Sequence, residues 1–177
     1  MISISRLLCD TVSPGDSLRY RDAKSQRHGA IRRGDHEVAR PVVVWNCTRQ
    51  CNLSCLHCYA SANNRRSPDE MDSEAGKAFI RDLAAFEVPV LLFSGGEPLM
   101  RRDIFEMVEY ARGQGLRVAL STNGTVINDG TADTLKQLGF AEVGISLDGI
   151  GANNDRFRGK EGAFEAALKG IRSCASL

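Results

Sequence analysis

The stretch Pro41-Val-Val-Val-Trp-Asn-Cys-Thr-Arg-Gln-Cys51-Asn-Leu-Ser-Cys55-Leu-His-Cys58 joins an apolar, β-branched run to three closely spaced cysteines. The apolar run is typical of a buried strand. The cysteines have the spacing C-x3-C-x2-C, and three thiolates on one tight loop can each bind one iron of a 4Fe-4S cluster. Because such a cluster commonly has four cysteine ligands, one iron would stay open, as at a catalytic metal site. The stretch therefore predicts a strand that leads into an incompletely coordinated cluster.

Two other kinds of site are alternatives for these cysteines. A zinc site usually pairs its cysteines as C-x2-C and needs four ligands, so Cys47, His57 or a distant residue would have to complete it. A redox dithiol needs only two cysteines as C-x2-C, within a thioredoxin-like βαβ unit. The observed spacing favours the iron–sulfur cluster over both.

The triplet Cys51, Cys55 and Cys58 resembles the defining motif of the radical S-adenosylmethionine (SAM) superfamily. The resemblance implies two cofactors, a 4Fe-4S cluster and SAM, with SAM chelating the unique iron through its amino and carboxylate groups. It also implies that one electron from the cluster splits the SAM sulfonium and yields a 5′-deoxyadenosyl radical, which abstracts hydrogen from substrate. The implied electron donor is a reducing protein such as flavodoxin or ferredoxin.

Three further apolar runs each end in a short polar motif. Residues 88–93 lead into Ser94-Gly-Gly-Glu-Pro98, residues 116–120 lead into Ser121-Thr-Asn-Gly124, and residues 142–147 lead into Asp148-Gly149. Continuous apolar runs favour strands buried on both faces of a parallel sheet. Helical periodicity follows each strand, in residues 72–87, 101–112, 131–138 and 162–174. The order predicts an α/β fold, a partial (β/α) radical-SAM barrel of parallel strands with about four of six units.

The carboxyl ends of parallel strands share one rim, where α/β barrels carry their chemistry. Gly95, Gly96, Glu97 and Pro98 resemble the GGE element of the family, which implies that they bind the SAM amino group. Paired glycines let a backbone approach a ligand closely, and a carboxylate accepts strong hydrogen bonds from an ammonium. The alternative is an ordinary strand-to-helix turn with an acidic residue in the first helical turn.

The other rim motifs are less specific, because Asn-Gly and Asp-Gly are favoured turn dipeptides. The resemblance implies that polar side chains at these strand ends contact the SAM carboxylate and ribose. His57 occupies the place of a family aromatic that packs on adenine, and a solvent-facing loop histidine is the alternative. The SAM contacts predicted in this way are Ser121, Asn123, Ser146, Asp148, His57 and Tyr59.

Composition, charge and hydropathy restrict the class of protein to which this chain can belong. The 177 residues are 42% hydrophobic and 25% charged, which is ordinary for a soluble globular domain. A formal net charge of +1 gives no indication of a nucleic-acid partner. No apolar run approaches the roughly 18 residues of a membrane span, and the first residues are too short and polar for a signal peptide. Without an export signal, the six cysteines indicate a reducing, cytoplasmic location rather than disulfides.

The first forty residues differ from the rest, so we expect a leader at 1–40 and a truncated radical SAM core domain at 41–177. The leader holds eight Lys/Arg against five Asp/Glu, and residues 21–40 lack apolar periodicity. It is either a solvated strap or a lid whose cations face an acidic substrate. Its candidate substrate contacts are Arg19, Tyr20, Arg21, Arg32 and Arg33.

Three segments narrow the resemblance. Ile4-Ser-Arg-Leu-Leu-Cys9, Gly15-Asp-Ser-Leu-Arg-Tyr20 and Val42-Val-Val-Trp-Asn-Cys-Thr-Arg49 are similar to the start of radical SAM enzymes of haem d1 and alternative haem synthesis. The resemblance implies a siroheme-derived iron tetrapyrrole as substrate, with its side chains modified by decarboxylation. Because the family barrel has six strand–helix units, we expect this chain to be the amino-terminal part of a longer enzyme.

Two other functions stay open. Peptide-modifying radical SAM maturases share every core motif found in this chain. A cluster-binding or zinc-binding module without catalysis is the alternative from a different class.

Overall fold

The computed structural model describes residues 40–176 of the chain. Its elements are β1 (Val43–Thr48), α1 (Ser73–Ala85), β2 (Leu91–Gly95), a 3-10 helix (Pro98–Met100), α2 (Ile104–Gly113), β3 (Val118–Thr122), α3 (Asp129–Leu138), β4 (Glu142–Ile145), α4 (Ala152–Arg158) and α5 (Ala163–Ala175). Apart from Arg40, the leader predicted at residues 1–40 lies outside the described residues.

The four strands form one sheet in the order β1-β2-β3-β4, and each neighbouring pair is parallel. Parallel neighbours joined by helices confirm the predicted α/β fold with four strand–helix units. All four strands therefore end at the same edge of the sheet, which gathers the polar motifs on one rim.

One face of the sheet packs against helices. Alternate side chains of the strands, such as Trp45, Phe93 and Leu120, are buried in one core with Ile80 of α1 and Met107 of α2. Helices α3 and α5 add side chains to the same cluster. Because successive side chains of a strand point to opposite faces, their neighbours lie on the other face. Val44, on that other face, is 45% exposed.

Three strands begin later than the apolar runs predict, and for β2 and β3 the preceding helix explains the difference. The backbone N–H of Val88 donates to Leu83 O at 3.0 Å, and that of Leu116 donates to Ala111 O at 3.1 Å. Both residues therefore close the end of the preceding helix, and pairing in the sheet starts at Leu91 and Val118.

Helix α3 starts two residues before the predicted position 131. The side chain of Asn128 accepts a hydrogen bond from the backbone N–H of Thr131, so Asn128 is the N-cap and the helix begins at Asp129. Gly139, with a φ of 61°, ends the helix in the left-handed region.

Helix α4 was not predicted, because its seven residues, ANNDRFR, carry no apolar periodicity. It lies between β4 and α5 and contacts the cysteine loop, as described below. Within residues 40–176, no helix combines the length and the apolarity that crossing a bilayer requires.

Candidate functional site

The cysteine loop leaves the carboxyl end of β1 and is closed by backbone hydrogen bonds. Cys51 N donates to Asn63 O at 2.8 Å, and Asn63 N donates to Arg49 O at 3.2 Å. Cys51, Cys55 and Cys58 are free thiols inside this closed loop. Cys51 is buried, whereas Cys55 and Cys58 are partly exposed.

Each of the three sulfurs accepts at least one N–H hydrogen bond. Leu53 N lies 3.4 Å from Cys51 Sγ, and Ala62 N lies 3.4 Å from Cys58 Sγ. Side chains add Asn123 Nδ2 at 3.8 Å from Cys51 Sγ and Arg158 Nη1 at 3.9 Å from Cys55 Sγ. Donors of this kind stabilise negative charge on sulfur and orient metal-binding thiolates.

The donor set suits an iron–sulfur cluster, because thiolates are its ligands and N–H groups surround the sulfurs. Within the described part of the chain, no group of three or more His, Cys, Asp or Glu side chains is arranged to hold a metal ion. The fit therefore rests on the chemistry of the three thiols and their surroundings.

Cys47 and the loop thiols Cys51 and Cys55 belong to different clusters of buried residues. Cys47 is 2% exposed and lies in the hydrophobic core beneath β1. Burial raises the pKa of its thiol to about 12, although the nearby charge of Arg101 lowers it. This structure therefore gives no support to Cys47 as a further cluster or zinc ligand.

The two glycines after β2 allow a close approach between backbones. A Cβ at Gly95, where φ is +131°, would lie 2.3 Å from Thr48 O, and a Cβ at Gly96 would lie 2.4 Å from Gln50 O. In the space left free, Gly96 N donates to Thr48 O and Glu97 N donates to Gln50 O, both at 2.8 Å. The glycines thus bring the end of β2 against the backbone that enters the cysteine loop.

The carboxylate of Glu97 is fully buried and binds donors of the protein itself. Its Oε1 accepts hydrogen bonds from Thr122 Oγ1 at 2.7 Å and Leu99 N at 3.1 Å, and its Oε2 accepts one from Asn123 N at 2.7 Å. Burial raises the pKa of Glu97, and these hydrogen bonds oppose the shift. Pro98 follows at the start of the 3-10 helix, which Glu97 caps.

Asn123, at the end of β3, connects this carboxylate to the cysteine loop. Its Nδ2 donates to Asn52 Oδ1 at 2.9 Å as well as to Cys51 Sγ. Its Oδ1 accepts hydrogen bonds from the backbone and hydroxyl of Thr125. Ser121 lies two positions earlier in the chain, partly buried and paired with Gly144 of β4.

The end of β4 meets the loop through Asp148. Its Oδ2 lies 3.3 Å from His57 Nε2 and 2.7 Å from Arg158 Nε. The backbone N–H of Asp148 donates to the buried side chain of Asn154 at 2.9 Å. Ser146 N, just after β4, donates to Thr122 O at 3.0 Å. The structure thus brings His57 and Asp148 together, with Ser146 near the end of β3.

Tyr59 is not part of the contact between His57 and Asp148. Its side chain is 74% exposed, and its hydroxyl donates to Asn46 Oδ1 of β1 at 3.0 Å. Tyr59 therefore reaches the face of the sheet that the helices do not cover.

Four residues that build this site were not predicted from the sequence, namely Asn52, Thr122, Asn154 and Arg158. Arg158 shows the reason, because it meets Cys55 across 103 positions of sequence. No local pattern marks such a contact. The sequence offered one signal, Gly159, because glycine often marks the end of a helix. Gly159 ends α4 with a φ of 66°.

The chain resembles several curated proteins. It is 52% identical over 175 residues to Fe-coproporphyrin III synthase of Methanosarcina barkeri, covering 98% of this chain and 43% of that protein. It is 49% identical over 135 residues to pre-heme d1 synthase of Dinoroseobacter shibae, covering 76% and 33%. It is 36% identical over 135 residues to mycofactocin maturase MftC of Mycolicibacterium smegmatis, covering 76% and 34%. The chain thus spans less than half the length of each of these relatives.

A solved structure shares the fold. The structure described as native anSMEcpe with bound AdoMet superposes with a TM-score of 0.63 at 24% identity, over 76% of this chain and 40% of that chain. The family model of the radical SAM superfamily matches residues 45–177, which include the cysteine loop and all four strands apart from the first two residues of β1. The chain therefore belongs to the radical SAM superfamily.

Proposed function

We propose that this chain is the amino-terminal part of an enzyme that binds a 4Fe-4S cluster and SAM and modifies an iron tetrapyrrole. The single observation that carries the proposal is the closed loop of three free thiols, each accepting N–H hydrogen bonds, at the carboxyl edge of a parallel sheet. When bound, a reduced cluster of this kind supplies the electron that converts SAM into a 5′-deoxyadenosyl radical.

The residues of this chain would bind and orient these groups. Cys51, Cys55 and Cys58 would hold the cluster. Glu97 and Asn123 tie the ends of β2 and β3 to the loop, and so fix the rim beside it. The proposed SAM contacts are His57, Tyr59, Gly95, Gly96, Glu97, Pro98, Ser121, Asn123, Ser146 and Asp148.

The substrate proposal rests on the relatives. The two relatives that share about half of their aligned residues with this chain carry names that denote coproporphyrin and haem d1 synthesis. The peptide maturase shares 36%. We therefore favour a siroheme-derived tetrapyrrole, whose side-chain carboxyl groups would be removed, over a peptide.

We also propose a flavodoxin or ferredoxin as the electron donor. The proposed domains are a leader at 1–40 and a core at 41–177.

The proposed location is the cytoplasm. The cysteines among the described residues are free thiols, which agrees with a reducing compartment.

The first experiment separates a cluster from zinc. The full chain is reconstituted anaerobically with iron and sulfide, and its iron, sulfide and zinc contents are measured together with the electronic spectrum. A 4Fe-4S spectrum that changes on adding SAM supports the proposal. Stoichiometric zinc without iron would instead identify the loop as part of a zinc-binding module without catalysis.

The second experiment separates a tetrapyrrole from a peptide substrate. Absorbance titrations with a siroheme-derived tetrapyrrole are run on the full chain and on a version that lacks residues 1–40. We expect binding by the full chain, weaker binding without the leader, and unchanged SAM binding in both. Equal tetrapyrrole affinity in the two proteins would show that the leader is only a strap. The absence of tetrapyrrole binding in both would contradict the substrate proposal.

A further inference from the structure

Arg158 places a guanidinium against the cysteine loop. Its Nη1 lies 3.9 Å from Cys55 Sγ, and its side chain is only 11% exposed. Its Nε is 2.7 Å from Asp148 Oδ2 but is not aligned to form a hydrogen bond, so this buried nitrogen lacks a hydrogen-bond acceptor. Buried N–H groups of this kind are rare without a partner. The guanidinium therefore contacts the loop through Nη1, while its Nε faces Asp148 without a hydrogen bond.

Backbone contacts fix the position of Arg158. Leu56 N donates to Phe157 O at 2.9 Å, and Ser54 N donates to Arg158 O at 3.2 Å. Gly159, with a φ of +66°, lets the chain pass so close that a Cβ there would lie 2.2 Å from Ser54 O. The end of α4 thus pairs with the loop on both sides of Cys55, and Arg158 cannot move away independently of it.

The charges around Cys55 have a definite arrangement. An arginine guanidinium stays protonated at every accessible pH. The carboxylate of Asp148 faces it, and the same carboxylate oxygen lies 3.3 Å from His57 Nε2. A positive charge beside a cluster sulfur favours the reduced, more negative state, because charge and hydrogen bonds to the sulfurs set the reduction potential. An adjacent carboxylate opposes that effect.

We propose that Arg158 is a positioning residue that raises the reduction potential of the cluster held at Cys55, and that Asp148 limits the increase. The inference rests on the proposed function, since it needs a cluster bound at the three thiols. It concerns the charge beside one cluster ligand and does not depend on which substrate is modified.

The test is a potentiometric titration of the reconstituted full chain without SAM, followed by electron paramagnetic resonance. Arg158→Gln removes the charge and keeps the length of the side chain. We expect about a tenfold lower ratio of reduced to oxidised cluster at a fixed potential, which is about 59 mV more negative for a one-electron couple. Arg158→Lys should restore part of the shift. Arg156→Gln, on an exposed residue of the same helix, is the matched control and should leave the potential unchanged.

Asp148→Asn supplies an independent test of opposite sign. It keeps the guanidinium and removes the facing carboxylate, so the potential should become more positive. If Arg158→Gln does not retain iron, Asp148→Asn becomes the test of the proposal. An unchanged or more negative potential in Asp148→Asn then overturns it. An unchanged potential in an Arg158→Gln protein with a full complement of iron also overturns the proposal. If SAM binding is weakened while the potential is unchanged, Arg158 acts on SAM and not on the potential of the cluster.

Failure of this inference differs from failure of the proposed function. If the function is wrong, the unmodified chain binds no iron–sulfur cluster, and no potential can be measured. If only the inference is wrong, the unmodified chain and the Arg158 variants hold the same cluster at the same potential.

Discussion

The carboxylate of Glu97 accepts a 2.7 Å hydrogen bond from the backbone N–H of Asn123, which joins the end of β2 to the end of β3. Asn123 continues the connection, because its side-chain amide donates to Cys51 Sγ. The acidic residue of the glycine-rich motif is thus connected through one residue to the first cysteine of the loop. Changes at Glu97 should therefore affect the geometry of the rim as well as any ligand bound there.

Replacing Glu97 by Gln should weaken both the fold and SAM binding. The amide has one acceptor oxygen, and its NH₂ group would face the N–H of Asn123 or the hydroxyl of Thr122. Leaving a buried donor unsatisfied lowers the free energy of unfolding by about 1–3 kcal/mol. If the free energy of SAM binding falls by the same amount, SAM affinity decreases about ten- to hundredfold. Denaturant unfolding and SAM titration measure the two effects. Glu109→Gln, on the exposed side of α2, is the control. Unchanged stability and SAM affinity would show that the carboxylate is dispensable.

Replacing any one of Cys51, Cys55 and Cys58 by Ala should abolish the 4Fe-4S absorbance after reconstitution. Each thiol would bind a different iron, so a protein that lacks one of them would lack a cluster ligand. Cys47→Ala and Cys174→Ala should keep full iron and sulfide content, because Cys47 lies in the core and Cys174 packs against it. Full iron loading of Cys55→Ala would contradict the ligand assignment.

Replacing Gly96 by Ala should destabilise the chain by about 1–3 kcal/mol, as overpacking of a closely packed site does. The added methyl group would lie 2.4 Å from Gln50 O, and backbone atoms there cannot move without disturbing the cysteine loop. Gly113→Ala is the matched control, since nothing lies within 4 Å of its added Cβ. Urea unfolding of the cluster-free protein compares the two. Equal stability of both variants would mean that the close approach has no energetic consequence.

Glu70 should make stability depend on pH. Its side chain, only 7% exposed, accepts hydrogen bonds from Thr48 Oγ1 and Arg49 N, both at 2.8 Å. Burial raises the pKa of Glu70, but the hydrogen bonds from Arg49, Thr48 and Ser67 outweigh burial and hold the pKa below its usual 4.5. The ionised carboxylate therefore stabilises the folded chain above pH 4.5, and this contribution is lost as pH falls through the lower folded pKa.

The test compares the unmodified chain with Glu70→Gln in cluster-free protein. At pH 7 the variant should lose about 1.5–3 kcal/mol of unfolding free energy, the usual contribution of hydrogen bonds to a charged group. The difference should shrink as the pH falls below 4.5. Glu161→Gln, at an exposed position, should show no such convergence. A difference that stays constant with pH would show that the charge of Glu70 is not involved.

Much of the fold could be predicted because the apolar runs are long and each ends in a polar motif. The parallel α/β order was correct, and so were the four strand–helix units. The starts of β2 and β3 were wrong, since Val88 and Leu116 are as apolar as the strands that follow them. Their backbone hydrogen bonds to the preceding helices are invisible in a hydropathy pattern.

The three thiols of the cysteine loop could be identified from the sequence. The spacing of Cys51, Cys55 and Cys58 is a local property of one loop, so it can be read without a structure. The groups that surround each sulfur depend on the fold. Asn123 reaches Cys51 from the end of β3, and Arg158 reaches Cys55 from α4. The physical reason is that parallel strands bring their carboxyl ends to one edge, where residues far apart in sequence share hydrogen bonds and charge that no local pattern records.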